Sequence, residues 1–118
     1  MKKPVFPKNE IQRQKAVERY EILDTNSEES FDNLTSLIAD ICEVPISLVS
    51  ILDNDRNFMK SHYGVSFNED PRERSFCGQT IVEEGGVLIV PDATKDKRFQ
   101  DNPLVTEMGC VFMQEQPL

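Results

Sequence analysis

Residues 45–63 have the sequence PISLVSILDNDRNFMKSHY, and this stretch decides the fold class. Residues 45–52 are short, apolar and rich in β-branched side chains, which indicates a largely buried strand. The polar residues 53–56 are typical of a turn, and residues 57–63 form a second predicted strand. Strands joined by so short a turn pair antiparallel. The sequence therefore predicts an α+β fold rather than a doubly wound parallel sheet.

Two amphipathic helices are predicted before this hairpin. Over residues 10–23, apolar side chains recur at helical spacing among charged ones. This first stripe consists of Ala16, Val17, Tyr20 and Leu23. The second helix ends before Pro45, and either Thr25 or Asn26 is its expected N-cap, with a glutamate three residues later. Its apolar face consists of Phe31, Leu34, Leu37, Ile38 and Ile41.

Shorter elements are predicted on both sides of this core. A short helix is expected over residues 75–82, a strand over 87–90, a helical turn near 95–99 and a fourth strand over 109–113. At the other end, prolines within residues 1–9 disfavour regular structure, so a flexible segment is expected there.

Length and charge limit the class of protein. Residues 10–118 suffice for one domain that buries a core without disulfides. The net charge is −8 and no basic run occurs, which disfavours binding to nucleic acid or to an anionic membrane. An apolar run of membrane-spanning length is absent from the sequence, and no signal peptide is recognisable, so a cytoplasmic protein is expected.

The cysteines and the single histidine do not suggest a metal site. Cys42, Cys77 and Cys110 are odd in number and widely spaced, which disfavours both a disulfide framework and paired zinc ligands. His62 has no recognisable partner ligand or nucleophile, and we expect it on the solvent face of the hairpin. No metal ligand and no catalytic residue is predicted.

Several stretches match a known family in order and at close to its spacing. The strongest are residues 74–81, RSFCGQTI, and residues 90–99, VPDATKDKRF, which continue into DNPLV at 101–105. Residues 18–25, ERYEILDT, and 42–50, CEVPISLVS, match as well. In these stretches the chain resembles the GAF domains found at the N-terminus of bacterial sensor histidine kinases and diguanylate cyclases.

The resemblance implies a central antiparallel sheet with helices packed on one face and a small-molecule pocket on the other. Such domains usually lack catalytic residues and modulate an output domain in the same polypeptide, so no enzymatic activity is expected of this chain. Family members continue past Leu118 with a further hairpin and a closing helix, so the domain is expected to be incomplete at its C-terminus. An open sheet edge would result, and we expect a homodimer to cover it.

The resemblance also places six residues near the pocket. The expected ligand contacts are Phe76, Cys77, Gln79, Asp92, Arg98 and Phe99. For each, a purely structural role is the alternative. Cys77 is either a reactive thiol near cations or a small buried hydrophobe. Phe99 is either a ligand contact or a core anchor, and Asp92 and Arg98 are either ligand contacts or internal capping and ion-pairing groups.

Three functions remain open from the sequence. The first is a sensory ligand-binding domain that modulates a histidine kinase or a cyclic-dinucleotide output domain. The second is a redox enzyme or sensor that uses Cys77, and the third is a structural dimerisation module without a ligand. The identity of a ligand or cofactor stays open, because folding brings the walls of a pocket together from distant residues.

Overall fold

The computed structural model describes residues 4–82, 88–107, 109, 110 and 113–115, with only the backbone of Met113 and Glu115. The chain divides into two compact units, one of residues 11–70 and the other of residues 1–10 and 71–118. Helices and antiparallel strand pairs occur together, so the predicted α+β class is confirmed.

The unit of residues 11–70 is a three-stranded sheet with helices. Its elements are α1 (Glu10–Tyr20), α2 (Glu29–Cys42), β1 (Ser47–Leu52), β2 (Arg56–Tyr63) and β3 (Glu69–Pro71). The strand order is β1–β2–β3, β1 and β2 are antiparallel, and α2 packs against both. The predicted hairpin is therefore confirmed to within two residues.

The third strand was not predicted from the sequence. Its residues are two acids and a proline, which are types depleted in strands. A tertiary contact outweighs this preference, because the amide of Met59 in β2 donates a hydrogen bond of 2.8 Å to the carbonyl oxygen of Asn68.

A β-bulge interrupts β2 at Lys60. The residues of β2 that pair with β1 on its two sides are Met59 and Ser61, so Lys60 has no register partner in β1. In a regular strand, successive side chains point to opposite faces of the sheet. The extra residue lets Lys60 and Ser61 both reach the start of α2, where they contact Glu28 and Asp32.

The first helix ends earlier than predicted. It stops at Tyr20 rather than Leu23, because Glu21 adopts a left-handed backbone with φ of 53°. Asp24 is left-handed as well, with φ of 60°. Such angles are uncommon for residues other than glycine, and they turn the chain away from the helix axis. The connection to α2, residues 21–28, is called the strap below.

The cap predicted for the second helix is wrong. The helix begins at Glu29, its N-cap is Glu28, and no side chain caps it. Thr25 and Asn26, the predicted caps, lie further back in the strap, where their oxygens accept hydrogen bonds from Lys60 instead. Tertiary contacts therefore displace the local capping pattern.

The buried side of α2 also differs from the predicted one. Thr35 and Ala39 are its buried residues. The predicted apolar face is largely exposed, from 40% at Leu34 to 71% at Ile41. The orientation follows from a polar contact, since the hydroxyl of Thr35 lies 2.9 Å from that of Ser61 in β2. An apolar stripe on α2 consequently faces away from the sheet.

The second unit contains shorter elements. They are α3 (Phe76–Thr80), β4 (Leu88–Val90), α4 (Pro103–Thr106) and β5 (Met113–Glu115). β4 and β5 are antiparallel. The helix α3 lies within the predicted span 75–82, and β4 matches the predicted strand 87–90 except for residue 87, which falls outside the described residues. The helical turn expected near residues 95–99 is present at 96–100, where the amides of Phe99 and Gln100 donate hydrogen bonds of 3.0 and 2.8 Å to the carbonyl oxygen of Asp96, and a 3-10 turn at Ala93–Lys95 precedes it.

The end of this unit differs from the sequence-based expectation in one strand and one helix. The strand expected over residues 109–113 begins only at Met113, and Gly109 and Cys110 precede it without strand structure. Residues 111 and 112 lie outside the described part. The helix α4 was not predicted; it is stabilised by Asn102, whose side chain accepts a hydrogen bond from the amide of Leu104, and by proline at its first position.

Candidate functional site

Two of the six predicted ligand contacts lie in a hydrophobic core. Phe76 and Phe99 are 3% and 1% exposed, and their ring centroids are 4.3 Å apart at an interplanar angle of 31°. They share this core with Leu88, Val90, Ala93, Leu104 and Val105. Phe99 therefore lies in the structure as a core residue. For both Phe76 and Phe99, contact with a ligand stays a prediction.

The two charged candidates take part in local contacts. Asp92 caps the 3-10 turn, since its carboxylate accepts a hydrogen bond of 3.0 Å from the amide of Thr94. Arg98 pairs with Asp96 through Nε and Nη2, at 3.0 and 2.8 Å, and this hydrogen bonding lowers the pKa of Asp96. The Arg98 guanidinium also lies 5.0 Å from the ring centroid of Phe99.

The remaining candidates, Cys77 and Gln79, lie half-buried on α3. Cys42, Cys77 and Cys110 form no disulfide within the described part of the chain. Burial raises the pKa of the Cys110 thiol, which reduces its thiolate fraction at neutral pH.

A large cleft lies elsewhere, in the unit of residues 11–70. Its volume is about 880 Å³. One wall is strap residues 24–27, the floor is residues 58–62 of β2, the opposite wall is residues 67–69, and Asp32 of α2 completes it. None of the six predicted residues lines this cleft. Its size is within the range of pockets that hold small molecules.

Lys60 is the central charged group of the cleft. Its side chain is 1% exposed, and the ammonium group donates three hydrogen bonds, to Thr25 Oγ1 at 2.7 Å, to the carbonyl oxygen of Asn26 at 2.6 Å and to Glu28 Oε2 at 2.7 Å. An ammonium group has three donors, so all are used. The ring of Phe31 lies 5.8 Å from Nζ. The lysine thereby fixes the strap against the sheet.

Arg56 holds the other end of the strap wall. Its Nη1 and Nη2 atoms bond the two carboxylate oxygens of Asp24 at 2.7 and 2.8 Å, the bidentate geometry that suits this pair. Arg56 also bonds Glu69 at 2.9 Å and Asp53 at 3.1 Å. The bond from Arg56 lowers the pKa of Asp24, and its contacts with Asp24, Glu69 and Asp53 raise the pKa of Arg56.

The pKa of Asp53 is also lowered. Burial of Asp53 opposes this shift and is its largest single influence. Hydrogen bonds from the Asn54 amide, Gln14 and Arg56 together outweigh it.

A chain of hydrogen bonds joins the floor of the cleft to α2. Ser61 Oγ donates to Asp32 Oδ1 at 2.6 Å and lies 2.9 Å from Thr35 Oγ1. His62 lines the cleft, where its Nε2 lies 3.1 Å from Asn68 Oδ1. Since His62 bonds Asn68 rather than Ser61, this arrangement does not activate a serine nucleophile. The polar groups that line the cleft are instead held in place by hydrogen bonds within the fold.

Sequence reasoning missed this site. The signal that could have identified it is a lysine among Asn57, Phe58, Met59 and Ser61, in a predicted strand whose residues 57–61 the structure buries. Burying an isolated charge is costly, so a lysine there needs partners from elsewhere in the chain. His62, which was expected on the solvent face of the hairpin, is half-buried and lines the cleft.

The Arg56 cluster predicts a dependence of stability on pH. Asp24 and Asp53 have lowered pKa values in the folded state, so their stabilisation is complete above the ordinary value of 3.8 and is lost as the pH falls through the lower folded pKa. In urea unfolding, the difference in stability between the native protein and Arg56→Gln should be constant above about pH 5, decline below the ordinary value and disappear below the folded pKa. A difference that grew under acid would contradict the assignment.

Two features are absent from the described residues. No group of three or more histidine, cysteine or acidic side chains there is arranged to hold a metal ion. In the same part of the chain, no helix is long and apolar enough to cross a membrane.

Comparison with known proteins gives one informative similarity. No family model matches the chain. Over 105 residues, or 89% of its length, the chain is 36% identical to a cyclic di-GMP phosphodiesterase of Pseudomonas aeruginosa. The matched part is 18% of that enzyme, so the chain spans less than a fifth of its relative. The similarity therefore concerns a segment of a larger signalling protein.

Proposed function

We propose that this chain is a GAF-type sensory module of a bacterial cyclic-dinucleotide signalling protein, and that its ligand binds in the cleft beside the strap. The cleft of about 880 Å³ carries this proposal, because its polar groups are held in place by contacts within the fold. The similarity to a segment of a cyclic di-GMP phosphodiesterase supports the signalling context. A ligand that favours one conformation of the module would bias an attached output domain.

The charges around the cleft favour a particular kind of ligand. Three carboxylates line it, those of Asp24, Asp32 and Glu69, against the one ammonium group of Lys60. The whole chain carries a net charge of −8 as well. Phosphate groups would meet like charge there. We therefore propose a neutral or cationic polar ligand, distinct from the cyclic dinucleotide on which the similar enzyme acts.

Thermal unfolding with a panel of compounds tests the proposal. A ligand that binds the folded state raises the melting temperature. The panel comprises amino acids, polyamines, nucleosides and cyclic di-GMP, each at millimolar concentration. We expect a shift with a neutral or cationic compound and none with cyclic di-GMP. A shift with cyclic di-GMP alone would contradict the ligand class, and no shift with any compound would contradict the binding function.

A matched pair of variants locates the binding. Ser27 and Ser30 are both exposed and lie three residues apart in the chain. Ser27 lines the cleft, whereas Ser30, in α2, does not. Ser27→Trp should fill the cleft and abolish the ligand-induced shift, while Ser30→Trp should retain it. Equal loss or equal retention in both variants would place the ligand elsewhere.

A structural role in dimerisation is the second candidate, and one observation favours it. Leu34, Leu37, Ile38 and Ile41 expose a continuous apolar stripe on α2, and exposed apolar surface often marks an interaction site. Sedimentation velocity over a hundredfold range of concentration tests this role. A monomer throughout the range would contradict the homodimer.

A further inference from the structure

The strap and the two cations beneath it suggest how access to the cleft is controlled. The last five residues of the strap are exposed, and Ile22 and Leu23 are half-buried. Little buried apolar surface therefore holds the strap against the rest of the unit. Segments with few buried apolar contacts open locally at low cost, without unfolding of the whole domain. What orders the strap is therefore the set of polar contacts made with β2.

These contacts form two clamps, four residues apart on β2. The first clamp is the bidentate pair of Arg56 with Asp24, at 2.7 and 2.8 Å. The second is Lys60, which bonds Thr25, Asn26 and Glu28 within 2.7 Å. The clamped residues are consecutive or nearly so, and the backbone between them is short. Release of one clamp therefore displaces the groups held by the other.

The backbone of the strap opposes its closed position. Glu21 and Asp24 both have left-handed φ angles, at 53° and 60°. Residues other than glycine occupy this region only when their surroundings impose it, and such residues often occur at switch segments. The Arg56 clamp supplies that constraint at Asp24, and its release would let Asp24 relax.

We propose that the strap is a gate of the cleft, which opens as one unit when either clamp is released. This regulation rests on the proposed function, since the cleft is the ligand site. In the closed state the strap covers Lys60 and forms one wall of the cleft. In the open state Lys60 becomes accessible, and the connection from α1 to α2 is free to move. Ligand occupancy is thereby coupled to the position of α1 relative to α2.

Acylation of Lys60 tests the gate without knowledge of the ligand. Asp24→Asn weakens the Arg56 clamp but leaves Thr25, Asn26 and Glu28, the residues that Lys60 bonds, unchanged. If the strap opens as one unit, this variant should raise the rate at which N-acetoxysuccinimide acetylates Lys60 at least fivefold, measured by mass spectrometry at one pH. The exposed lysine Lys15 is the internal reference.

Asp55→Asn is the matched control, because Asp55 is an exposed acid of the neighbouring turn and its loss changes the net charge equally. It should leave the rate at Lys60 unchanged. Equal rates in Asp24→Asn and in the native protein would overturn the proposal, as would equal acceleration by both substitutions. Hydrogen exchange at the Thr25 amide, which is bonded to Ile22, should rise with Lys60 acylation, whereas the Met59 amide in the sheet should not change.

The two proposals fail separately. If a compound of the panel binds in the cleft but Asp24→Asn leaves the rate of Lys60 acylation unchanged, the gate is wrong and the sensory function stands. If Asp24→Asn exposes Lys60 but no compound binds, the strap opens as inferred and the sensory function is wrong.

Discussion

Replacement of Phe99 by alanine is expected to lower the free energy of unfolding by about 3–5 kcal/mol, the cost typical of deleting a large aromatic side chain from a core. Phe99 is 1% exposed, and its ring contacts that of Phe76 at a centroid distance of 4.3 Å. The loss combines burial of the ring with the cavity that remains. Urea unfolding monitored by circular dichroism measures it.

Two variants make this result specific. Phe99→Leu retains most of the apolar volume and should cost about 1–2 kcal/mol. Ile89→Ala removes an apolar side chain that is 54% exposed in β4, and it should change stability by less than about 0.5 kcal/mol. If Phe99→Ala cost no more than Ile89→Ala, Phe99 would not be a core anchor, and the sequence-based role in ligand binding would gain weight.

Glu10→Gln is the second substitution with a large expected effect. The Glu10 carboxylate bonds both terminal nitrogens of Arg72, and the Nη2–Oε2 distance is 3.0 Å. The Arg72 side chain is 3% exposed, and its guanidinium lies 4.2 Å from the ring centroid of Phe6. Removing the charge of one member of a buried pair leaves the other charge poorly compensated. We expect a loss of about 2–4 kcal/mol in the free energy of unfolding.

Glu29→Gln controls for the position of this residue. Glu10 and Glu29 are each the first residue of a helix, where a negative charge also interacts favourably with the helix dipole. Glu29 is exposed, so its substitution should cost only about 0.3–1 kcal/mol. A comparable loss in both variants would show that the dipole, and not the pair with Arg72, explains the effect of Glu10→Gln.

Local patterns predicted the central hairpin well. The β-branched run before Asp53 and the polar turn after it give β1 and β2 within two residues, because both signals act over neighbouring positions. The Ser75 hydroxyl caps α3 by accepting a hydrogen bond of 2.9 Å from the amide of Gly78, which is again a local contact. The antiparallel, mixed class of the fold follows from these elements.

Long-range contacts explain what the sequence did not reveal. The cleft depends on pairs such as Arg56 with Asp24 and Lys60 with Glu28. The two residues of each pair are 32 positions apart in the chain. Periodicity assigned the buried side of α2 to its apolar stripe, whereas the hydroxyl of Thr35 orients the helix through Ser61. No local pattern contains such information, because the partners meet only after folding.

The bulge at Lys60 has a consequence for comparing related sequences. A relative shorter by one residue at this point would have an unbroken strand, in which the lysine and the serine after it face opposite directions. That relative could hold the strap or the start of α2, but not both through these two side chains. Among related sequences, the presence or absence of this one extra residue would therefore distinguish chains that can form the proposed gate from chains that cannot. The overall percentage of identical residues would not reveal this difference.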